Sequence, residues 1–441
     1  MLAMLFQDHK KLPAIWIEKK SLTYQELFVK IEILALSLTQ QGINSRHRVA
    51  FIAETNLDSI LLFYALLKIG ASPCLLSTRI PVEKIPDYLK QSQSSFFLDC
   101  KTHSVQQCAV NIDPKENAIL IFTSGSSGVP KLVSLKVEHF LANAQGATSR
   151  LCLTKESCYL LTVPLFHVSG LTILFRSLIV GSSIAFTSNL LEGHALASHI
   201  SLVPTQLIRV LEKDCFFPHL KCALVGGAQI SDSLVQSALH KKIPICLTYG
   251  MTEMASQITM TSLGDPLLPI HMGKPLAGRE VTLASDGEIL VKGTSLFLGY
   301  DSLLGVQKTL QDGNWFATGD RGAWDKKFNL EYKGRKDNLF ISGGENIYPE
   351  SIEEALGTIP GVLQAIVVPL EDREFGQRPV AFIHMQNKML NKAEFHEKLS
   401  ALLPRFSLPI HFLPFPLGLV AKSFKLKRSE LKMWLQSNFL Q

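Results

Sequence analysis

The sequence predicts an α/β protein with a large N-terminal domain and a small C-terminal domain. Through the first three quarters, short apolar runs alternate with helical patterns, as in parallel sheets covered by helices. Beyond about residue 280, glycine-rich turns separate short strands, which indicates a β-rich subdomain. A length of 441 residues, with 46% hydrophobic and 19% charged content, is sufficient for several packed cores and excludes disorder or coiled coil as the main architecture.

Local patterns place the first elements. The capping-box spacing of Thr23 and Glu26 predicts a helix extending to Leu38. Five apolar or β-branched runs predict the buried strands of the N-terminal domain, at residues 47–53, 118–123, 158–166, 182–186 and 222–227.

Glycine-containing turns are expected at residues 285–288, 311–315 and 332–338. The last of these is the predicted boundary between domains 1–334 and 335–441. In the second domain a helix at 351–356 and strands at 365–370 and 381–385 indicate a small α+β unit.

The charge and cysteine patterns exclude several classes of function. The net charge of +6 is spread without a basic run, so neither a nucleic-acid partner nor a polybasic membrane footprint is expected. Eight cysteines without a CxxC pair argue against zinc and iron–sulfur sites and favour a reduced, cytoplasmic compartment. The longest apolar stretch, 159–186, contains Pro164 and Arg176, so no integral membrane segment is predicted, and no signal peptide is visible. A homo-oligomer remains possible.

The segment Ile121–Lys131, IFTSGSSGVPK, is the strongest candidate for a binding site. Glycines allow backbone amides to turn inward, hydroxyls add donors, and Lys131 adds a positive charge. The spacing does not match a Walker loop, which excludes the usual kinase and GTPase motif. The alternative is a serine- and glycine-rich surface turn. We interpret the segment as a polyphosphate loop, with these binding residues: Thr123, Ser124, Gly125, Ser126, Ser127, Gly128 and Lys131.

This segment resembles the signature of the adenylate-forming superfamily, which comprises acyl-CoA synthetases, luciferases and peptide-synthetase adenylation domains. Further motifs of that superfamily follow in order over nearly the whole chain, at residues 226–228 (GGA), 249–253 (YGMTE), 318–320 (TGD), 334–337 (GRKD) and 342–349 (SGGENIYP). The resemblance implies the adenylate-forming enzyme fold, in which the small C-terminal domain is mobile.

The resemblance also assigns roles to the matching residues. Gly227, Ala228 and Tyr249 would face adenine, and Asp320 would bind the ribose, with Arg335 also contacting ATP. In the alternative interpretation Tyr249 fills the core and TGDRG, residues 318–322, is a hairpin turn.

The phosphate end of ATP requires neutralised charge at the reacting phosphorus. Lys131, Thr252 and Glu253 are the expected catalytic residues there, and Glu253 would bind Mg²⁺, which prefers oxygen ligands. Asp337 would be the hinge between the domains. Gly343 and Gly344 would form the loop beside the CoA tunnel.

Near the C-terminus, residues 423–428 (SFKLKR) resemble the superfamily motif whose lysine bridges the acyl carboxylate and phosphate oxygens. Lys425 therefore takes the role of the catalytic cation in adenylation. Phe424 stands where glycine is usual, so the loop geometry can differ from that of the family. The alternative for Lys422, Lys427 and Arg428 is a solvated basic helix start.

The acyl site is expected after the strand that ends near Phe166. His167 supplies no fixed negative charge, which disfavours an amino-acid substrate. Arg176 lies seven residues after Ser169, on the same face of a helix, in a stretch without another fully charged side chain. A lone guanidinium in apolar surroundings requires an anion, either a protein carboxylate or a second carboxylate of the substrate. Arg209 is the competing candidate, and His167 could instead be a core histidine.

Four segments resemble the o-succinylbenzoate-CoA ligases of menaquinone biosynthesis, at residues 165–170, 201–207, 334–349 and 372–382. This resemblance implies an AMP-forming acid–thiol ligase that uses ATP, Mg²⁺ and CoA on an aromatic dicarboxylic acid. The acid would first form an acyl-adenylate and then a CoA thioester. The alternatives are a CoA ligase for another aryl or fatty acid, and a non-catalytic nucleotide-binding protein.

Overall fold

The computed structural model describes most of the chain. The described residues are 2–18, 20–100, 104–108, 117–124, 130–187, 189–190, 194–213, 215, 217–302, 304–386, 392–416, 418–419 and 427–439.

The described α-helices contribute apolar side chains to the cores together with the strands. They are α1 (Leu2–Asp8), α2 (Tyr24–Gln40), α3 (Leu57–Ile69), α4 (Ile85–Ser92), α5 (Val137–Thr148), α6 (Val168–Val180), α7 (Pro204–Glu212), α8 (Asp232–His240), α9 (Pro349–Gly357), α10 (Lys392–Ser400) and α11 (Arg428–Phe439). The capping box is present at α2: the Glu26 amide donates to the Thr23 hydroxyl at 3.2 Å, and the Thr23 amide donates to the Glu26 carboxylate at 2.8 Å. The predicted start of this helix is thereby confirmed.

Strands of the first two thirds of the chain run in order from the N-terminus. They are β1 (Pro13–Ile17), β2 (Lys20–Thr23), β3 (Arg48–Ile52), β4 (Ser72–Leu76), β5 (Phe96–Leu98), β6 (Val105–Gln107), β7 (Ile119–Ser124), β8 (Pro130–Leu135), β9 (Cys158–Leu160), β10 (Ser183–Ala185), β11 (His199–Leu202), β12 (Cys222–Gly226), β13 (Ile245–Met251), β14 (Ser256–Met260) and β15 (Lys274–Pro275).

The remaining strands are β16 (Arg279–Leu283), β17 (Glu288–Gly293), β18 (Gly299–Ser302), β19 (Gly305–Gln307), β20 (Phe316–Trp324), β21 (Leu330–Arg335), β22 (Phe340–Ser342), β23 (Glu345–Ile347), β24 (Val362–Asp372), β25 (Gly376–Met385) and β26 (His411–Pro414).

Two large sheets form the N-terminal part. The nine-stranded sheet has the order β15-β14-β13-β12-β11-β9-β10-β1-β2, and its strands from β13 to β1 are parallel. The eight-stranded sheet has the order β19-β18-β8-β7-β4-β3-β5-β6, with parallel pairing from β7 to β5. A four-stranded antiparallel sheet, β16-β17-β20-β21, forms the β-rich subdomain. The predicted fold class is confirmed.

Two predicted elements differ from the structure. The run 158–166 forms a strand only at Cys158–Leu160, because Pro164 lacks an amide donor and begins a turn that the His167 amide closes on the Pro164 carbonyl at 3.2 Å. The expected turn 332–338 was wrong in its first half. Tyr332 and Gly334 belong to β21, and only Lys336–Asn338 forms a short 3₁₀ turn.

The C-terminal segment has hydrophobic cores of its own. A five-stranded sheet, β23-β22-β25-β24 with β26 parallel to β25, packs with α9, α10 and α11 around side chains from Phe340 to Leu435. The N-terminal part contacts it at the start of α8, where the hydroxyl of the N-cap residue Ser231 donates to the Leu363 carbonyl at 2.8 Å and that of Ser233 to the Gly357 carbonyl at 3.0 Å. The domain boundary between residues 334 and 335 remains a prediction.

A buried ion pair fixes β18 to the rest of its sheet. Asp301 accepts hydrogen bonds from the Arg48 guanidinium at 2.8 and 3.1 Å, and from the Ser134 hydroxyl at 3.1 Å. Both charged side chains are buried. This pair joins β3, β8 and β18, three strands that are far apart in the sequence.

We expect Asp301→Ala to lower the free energy of unfolding by about 3–5 kcal/mol, because it leaves the buried Arg48 charge without its partner. Urea unfolding followed by circular dichroism measures this loss. Asp312→Ala, at an exposed position, is the control and should change stability by less than about 0.5 kcal/mol. A similar small loss in Asp301→Ala would contradict a structural role for the pair.

Candidate active site

The candidate site lies where parallel strands of the nine-stranded sheet end. Open α/β sheets bind ligands at the carboxyl ends of their strands, because the loops that follow diverge there. Gly227 directly follows β12 with a φ of +79°, a conformation that favours glycine. Tyr249 lies near the end of β13, and Thr252–Met254 forms a 3₁₀ turn directly after it. Ala228 follows Gly227 and is partly exposed.

Tyr249, Asp320 and Arg335 form one hydrogen-bond network. The Tyr249 hydroxyl donates to Asp320 Oδ2 at 2.7 Å, and Arg335 Nη1 donates to Asp320 Oδ1 at 3.1 Å. Burial, and then the negative charge of Asp320, raises the pKa of Tyr249 well above its ordinary value, so the phenol remains a donor. The network brings the predicted adenine, ribose and ATP residues into contact between the nine-stranded sheet and the four-stranded sheet.

The position of Asp320 follows from a bulge in β20. Gly319 has a φ of +74° and donates its amide to Glu288 at 2.8 Å, while Asp320 pairs with Arg335 on β21. The segment 318–322 therefore lies inside a strand, and its interpretation as a hairpin turn was wrong. The alternative for Tyr249 as a core residue without a polar role does not fit its bond to Asp320.

Arg335 also reaches the predicted hinge. Its Nε and Nη2 donate to the two carboxylate oxygens of Asp337, at 3.0 and 3.2 Å. The same guanidinium thus contacts both Asp320 and Asp337. Such bidentate pairing fixes the orientation of the planar group.

The predicted phosphate end brings Lys131 and Glu253 together through a third residue. The Tyr300 hydroxyl donates to Glu253 Oε1 at 2.7 Å, and Lys131 Nζ lies 4.9 Å from the centre of the Tyr300 ring. Thr123 lies opposite Lys131 on the neighbouring strand, and its hydroxyl donates to the Lys131 carbonyl at 3.4 Å. Thr252 begins the 3₁₀ turn that carries Glu253.

Arg176 lies in the interior with its side chain completely buried. Its guanidinium donates to Gln257 Oε1, and to the Tyr159 hydroxyl at 3.5 Å, while its Nε has no partner. Within the described ranges it contacts no carboxylate, which leaves the interpretation as an internal ion pair without support. Burial lowers the pKa of Arg176. The helix α6 that carries it also presents Ser169, as the spacing predicted.

The other acyl-site candidates are nearer the surface. His167 is exposed at the N-terminus of α6, so its interpretation as a core histidine was wrong. Arg209 is partly exposed on the last turn of α7 and makes contacts of its own.

In the C-terminal domain, Gly343 and Gly344 form the turn between β22 and β23, with φ values of +58° and +86°. At the start of α11, Arg428 donates to Glu353 Oε1 at 2.5 Å and to Glu350 Oε1 at 3.1 Å. Arg428 is therefore not part of a solvated basic face.

Lys425 and the loop residues Gly125, Ser126, Ser127 and Gly128 lie outside the described residues, as does the side chain of Ser124.

Sequence reasoning missed Tyr300, Gln257 and Tyr159. Tyr300 is half-buried at the site, and the other two hold the Arg176 guanidinium. The dipeptide Gly299-Tyr300 in a short strand carries no local signal of a site, because its importance depends on pairing with β8. Gln257 carried no clear signal either, since β14 (SQITM) mixes polar and apolar residues.

Comparison with known proteins decides the family. The AMP-binding enzyme family matches residues 6–111 and 99–301. The 2-succinylbenzoate–CoA ligase of Haemophilus influenzae is 35% identical over 426 residues, covering 94% of this chain and 93% of the relative. The chain belongs to the AMP-binding enzyme family, among the 2-succinylbenzoate–CoA ligases. The predicted superfamily and the enzyme class, an AMP-forming acid–thiol ligase, are thereby confirmed.

Solved structures of family members have the same fold. An arginine-to-lysine variant of E. coli MenE with bound OSB-AMS matches with a TM-score of 0.87 at 31% identity, covering 99% of this chain and 98% of that chain. Two of the matching complexes of o-succinylbenzoate CoA synthetase (MenE) from Bacillus subtilis are each 27% identical to this chain. Its complex with the acyl-adenylate intermediate OSB-AMP has a TM-score of 0.81 and covers 98% of this chain and 97% of that chain. Its complex with ATP and a magnesium ion has a TM-score of 0.78 and covers 94% and 95%.

The residues at the phosphate end fit a magnesium ion. Glu253 is buried, and only its Oε1 accepts a hydrogen bond from the described residues, which leaves Oε2 as an oxygen ligand. No group of three or more His, Cys, Asp or Glu side chains is placed to hold a metal in the described part of the chain. A single available carboxylate oxygen suits Mg²⁺, which is commonly bound by one or two carboxylates, with waters and substrate phosphates completing its coordination.

Proposed function

We propose that this protein joins o-succinylbenzoate to CoA in two steps at the expense of ATP, in menaquinone biosynthesis. In the first step a carboxylate oxygen of the acid attacks the α-phosphorus of ATP, and the bond to pyrophosphate breaks. In the second the CoA thiol attacks the acyl carbon of the mixed anhydride, its proton is lost, and AMP leaves. Membership of the 2-succinylbenzoate–CoA ligases supports this proposal.

The residues divide into a nucleotide end and an acyl end. We assign the base and ribose of ATP to Gly227, Ala228, Tyr249 and Asp320, which lie at the ends of β12 and β13 and on β20. Asp320 already accepts hydrogen bonds from Tyr249 and Arg335, and ribose hydroxyls would be alternative donors to the same oxygens.

At the phosphate end, Lys131 with the loop 123–128, Thr252 and Glu253 would bind the triphosphate. A magnesium ion on Glu253 supplies neutralisation of phosphate charge when bound. Lys425 would contribute a further positive charge during adenylation. After adenylation the C-terminal domain would turn about Asp337, so that Lys425 leaves the active site and the loop of Gly343 and Gly344 enters it, beside the CoA tunnel.

The observation that supports a dicarboxylic acid is the buried Arg176. A guanidinium without a described carboxylate partner is costly to bury, and a substrate carboxylate would compensate its charge. Arg279 adds to the positive potential, since it too is buried without a described acidic partner. Burial, and then the charge of Arg176, lowers the pKa of Arg279 to about 10. We therefore assign the non-reacting carboxylate to Arg176 rather than to the partly exposed Arg209. His167 and Ser169, at the start of the same helix as Arg176, are assigned to the acyl site.

The test is acid-dependent exchange of labelled pyrophosphate into ATP, with o-succinylbenzoate, benzoate, succinate and a fatty acid as the four substrates. We expect exchange with o-succinylbenzoate to exceed that with each of the others by at least about a hundredfold, because they lack the second carboxylate, the ring or both. Preference for another acid would replace the substrate. Binding of ATP without exchange for any acid would favour a non-catalytic nucleotide-binding protein.

We place this reaction in the cytoplasm. All eight cysteines are free thiols, which fits a reducing compartment where ATP and CoA are present. None of the described helices combines the length and apolarity needed to cross a membrane. A homo-oligomer stays a prediction.

A further inference from the structure

Tyr300 contacts two residues of the phosphate end at once. Its hydroxyl donates to Glu253 Oε1 at 2.7 Å, and its ring lies 4.9 Å from Lys131 Nζ. Glu253 belongs to the turn after β13 in the nine-stranded sheet, whereas Lys131 and Tyr300 belong to β8 and β18 of the eight-stranded sheet. Tyr300 therefore connects the two sheets at the point where the triphosphate would bind.

The position of Tyr300 is fixed from both faces of β18. Successive side chains of a strand point to opposite faces, so Asp301 points away from Tyr300. Asp301 is held by its buried pair with Arg48. On the other face, the Phe297 ring packs edge-on against Tyr300, with 5.0 Å between ring centres. The Phe297 amide in turn donates to the Glu253 carbonyl at 2.8 Å. The ring, the carboxylate and the turn that carries Glu253 thus form one packed unit.

From this geometry we propose that Tyr300 is a positioning residue for the metal and phosphates, an inference that rests on the proposed function. Its hydroxyl donates a hydrogen bond to Oε1 of Glu253, which fixes the rotation of the carboxylate. Oε2 would then remain available to bind Mg²⁺. Its ring supports the Lys131 ammonium through a cation–π contact. The carboxylate that would hold Mg²⁺ and the Lys131 ammonium that would neutralise phosphate charge would then both be oriented before the nucleotide binds.

The hydrogen bond from the Tyr300 hydroxyl acts on the carboxylate that would hold the metal. Hydrogen bonds to a metal-ligating carboxylate orient it and tune its affinity for the ion, and their removal commonly weakens metal binding by about 10- to 100-fold.

The first experiment measures ATP binding by calorimetry, with and without Mg²⁺, in wild type and Tyr300→Phe. The variant keeps the ring and removes only the hydroxyl. We call the factor by which Mg²⁺ raises the affinity for ATP the magnesium increment. We expect this factor to be about tenfold smaller in Tyr300→Phe than in wild type, because the metal ligand has lost its hydrogen bond. The affinity for metal-free ATP should stay within about twofold of wild type. An unchanged magnesium increment would overturn the proposal.

A matched control separates this effect from general destabilisation. Tyr24 is a buried tyrosine whose hydroxyl donates to the carbonyls of Ser177 and Ser182 at 2.8 and 2.7 Å, in the helix and sheet packing of the N-terminal domain. Tyr24→Phe also removes a buried phenolic donor. It should lower the unfolding temperature and leave the magnesium increment unchanged. A reduction of the increment equal to that of Tyr300→Phe would mean that stability alone is responsible.

Tyr300→Leu tests the contact with Lys131. Loss of the aromatic face should weaken metal-free ATP binding by a further factor of about three relative to Tyr300→Phe, since an exposed cation–π contact has that strength. Equal affinities of the two variants for metal-free ATP would show that the Tyr300 ring does not support Lys131.

Pyrophosphate exchange distinguishes the failure of this inference from the failure of the proposed function. If wild type exchanges pyrophosphate in the presence of o-succinylbenzoate while Tyr300→Phe retains the full magnesium increment, only the positioning role is wrong. If wild type fails to exchange pyrophosphate with any of the acids, but the magnesium increment falls in Tyr300→Phe, the positioning role is supported and the proposed reaction is wrong.

Discussion

Lys425→Ala should slow formation of the acyl-adenylate by about 100- to 1,000-fold, because removal of one preorganised group that stabilises transition-state charge has that effect. Transfer of the acyl group from preformed adenylate to CoA should stay within about threefold of wild type. Acid-dependent pyrophosphate exchange measures the first step. Thioester formation from synthetic acyl-adenylate and CoA, in a single turnover, measures the second.

The start of α11 supports the choice of control. Arg428, three residues after Lys425, is anchored by Glu350 and Glu353, whose carboxylates are buried in the C-terminal domain. Lys427 is exposed. Lys427→Ala removes a neighbouring positive charge without disturbing that anchor, and should leave both steps near wild-type rates. Equal losses in the two steps of Lys425→Ala would contradict a role specific to adenylation.

Local chemistry explains which parts of the fold could be predicted. The capping box at Thr23 and the runs that became β3, β7, β10 and β12 depend on neighbours in the sequence, and the structure contains them with small changes at their ends. The segment 332–338 has the composition of a turn. Most of it is nevertheless strand, because β21 completes the ladder with β20. Strand pairing between distant segments overrides local propensity there.

The same distinction applies to the candidate site. Motifs at residues 226–228, 249–253 and 318–320 could be read from the sequence because each is a run of adjacent residues, the first two at strand ends and the third at the bulge in β20. Tyr300 could not be found in this way. Its position depends on the pairing of β18 with β8, and that pairing depends in turn on Arg48, more than 250 residues earlier in the chain.

Arg176 shows an intermediate case. The sequence predicted a lone arginine on the apolar side of a helix, which the structure contains in α6. It did not predict that Gln257 and Tyr159 would be its neighbours, and therefore left open a protein carboxylate as the partner. Neutral acceptors satisfy part of the guanidinium and leave its charge uncompensated. A residue that is costly to the fold and incompletely paired is expected where a ligand completes the interaction.

Arg176→Met should lower kcat/KM for o-succinylbenzoate by about a thousandfold, as expected when one partner of a buried charge pair is removed. Benzoate cannot use such a contact, so its slow exchange should change by less than about threefold. Steady-state kinetics with both acids measures the difference. Arg209→Met is the matched control. A larger loss in that variant would assign the carboxylate to Arg209.

The stability of Arg176→Met separates a binding role from a structural one. An arginine held mainly for the fold would be costly to remove, as breaking a buried ion pair is, by about 3–5 kcal/mol. Here the substitution removes a buried charge that has no described carboxylate partner, which should raise the free energy of unfolding. The loss of the hydrogen bond to Gln257 offsets this gain in stability by about 1–3 kcal/mol. We therefore expect a free energy of unfolding no lower than that of wild type, measured by urea titration without ligand. A variant that loses both stability and activity would show that Gln257 and Tyr159, rather than a substrate, are the reason the arginine is buried.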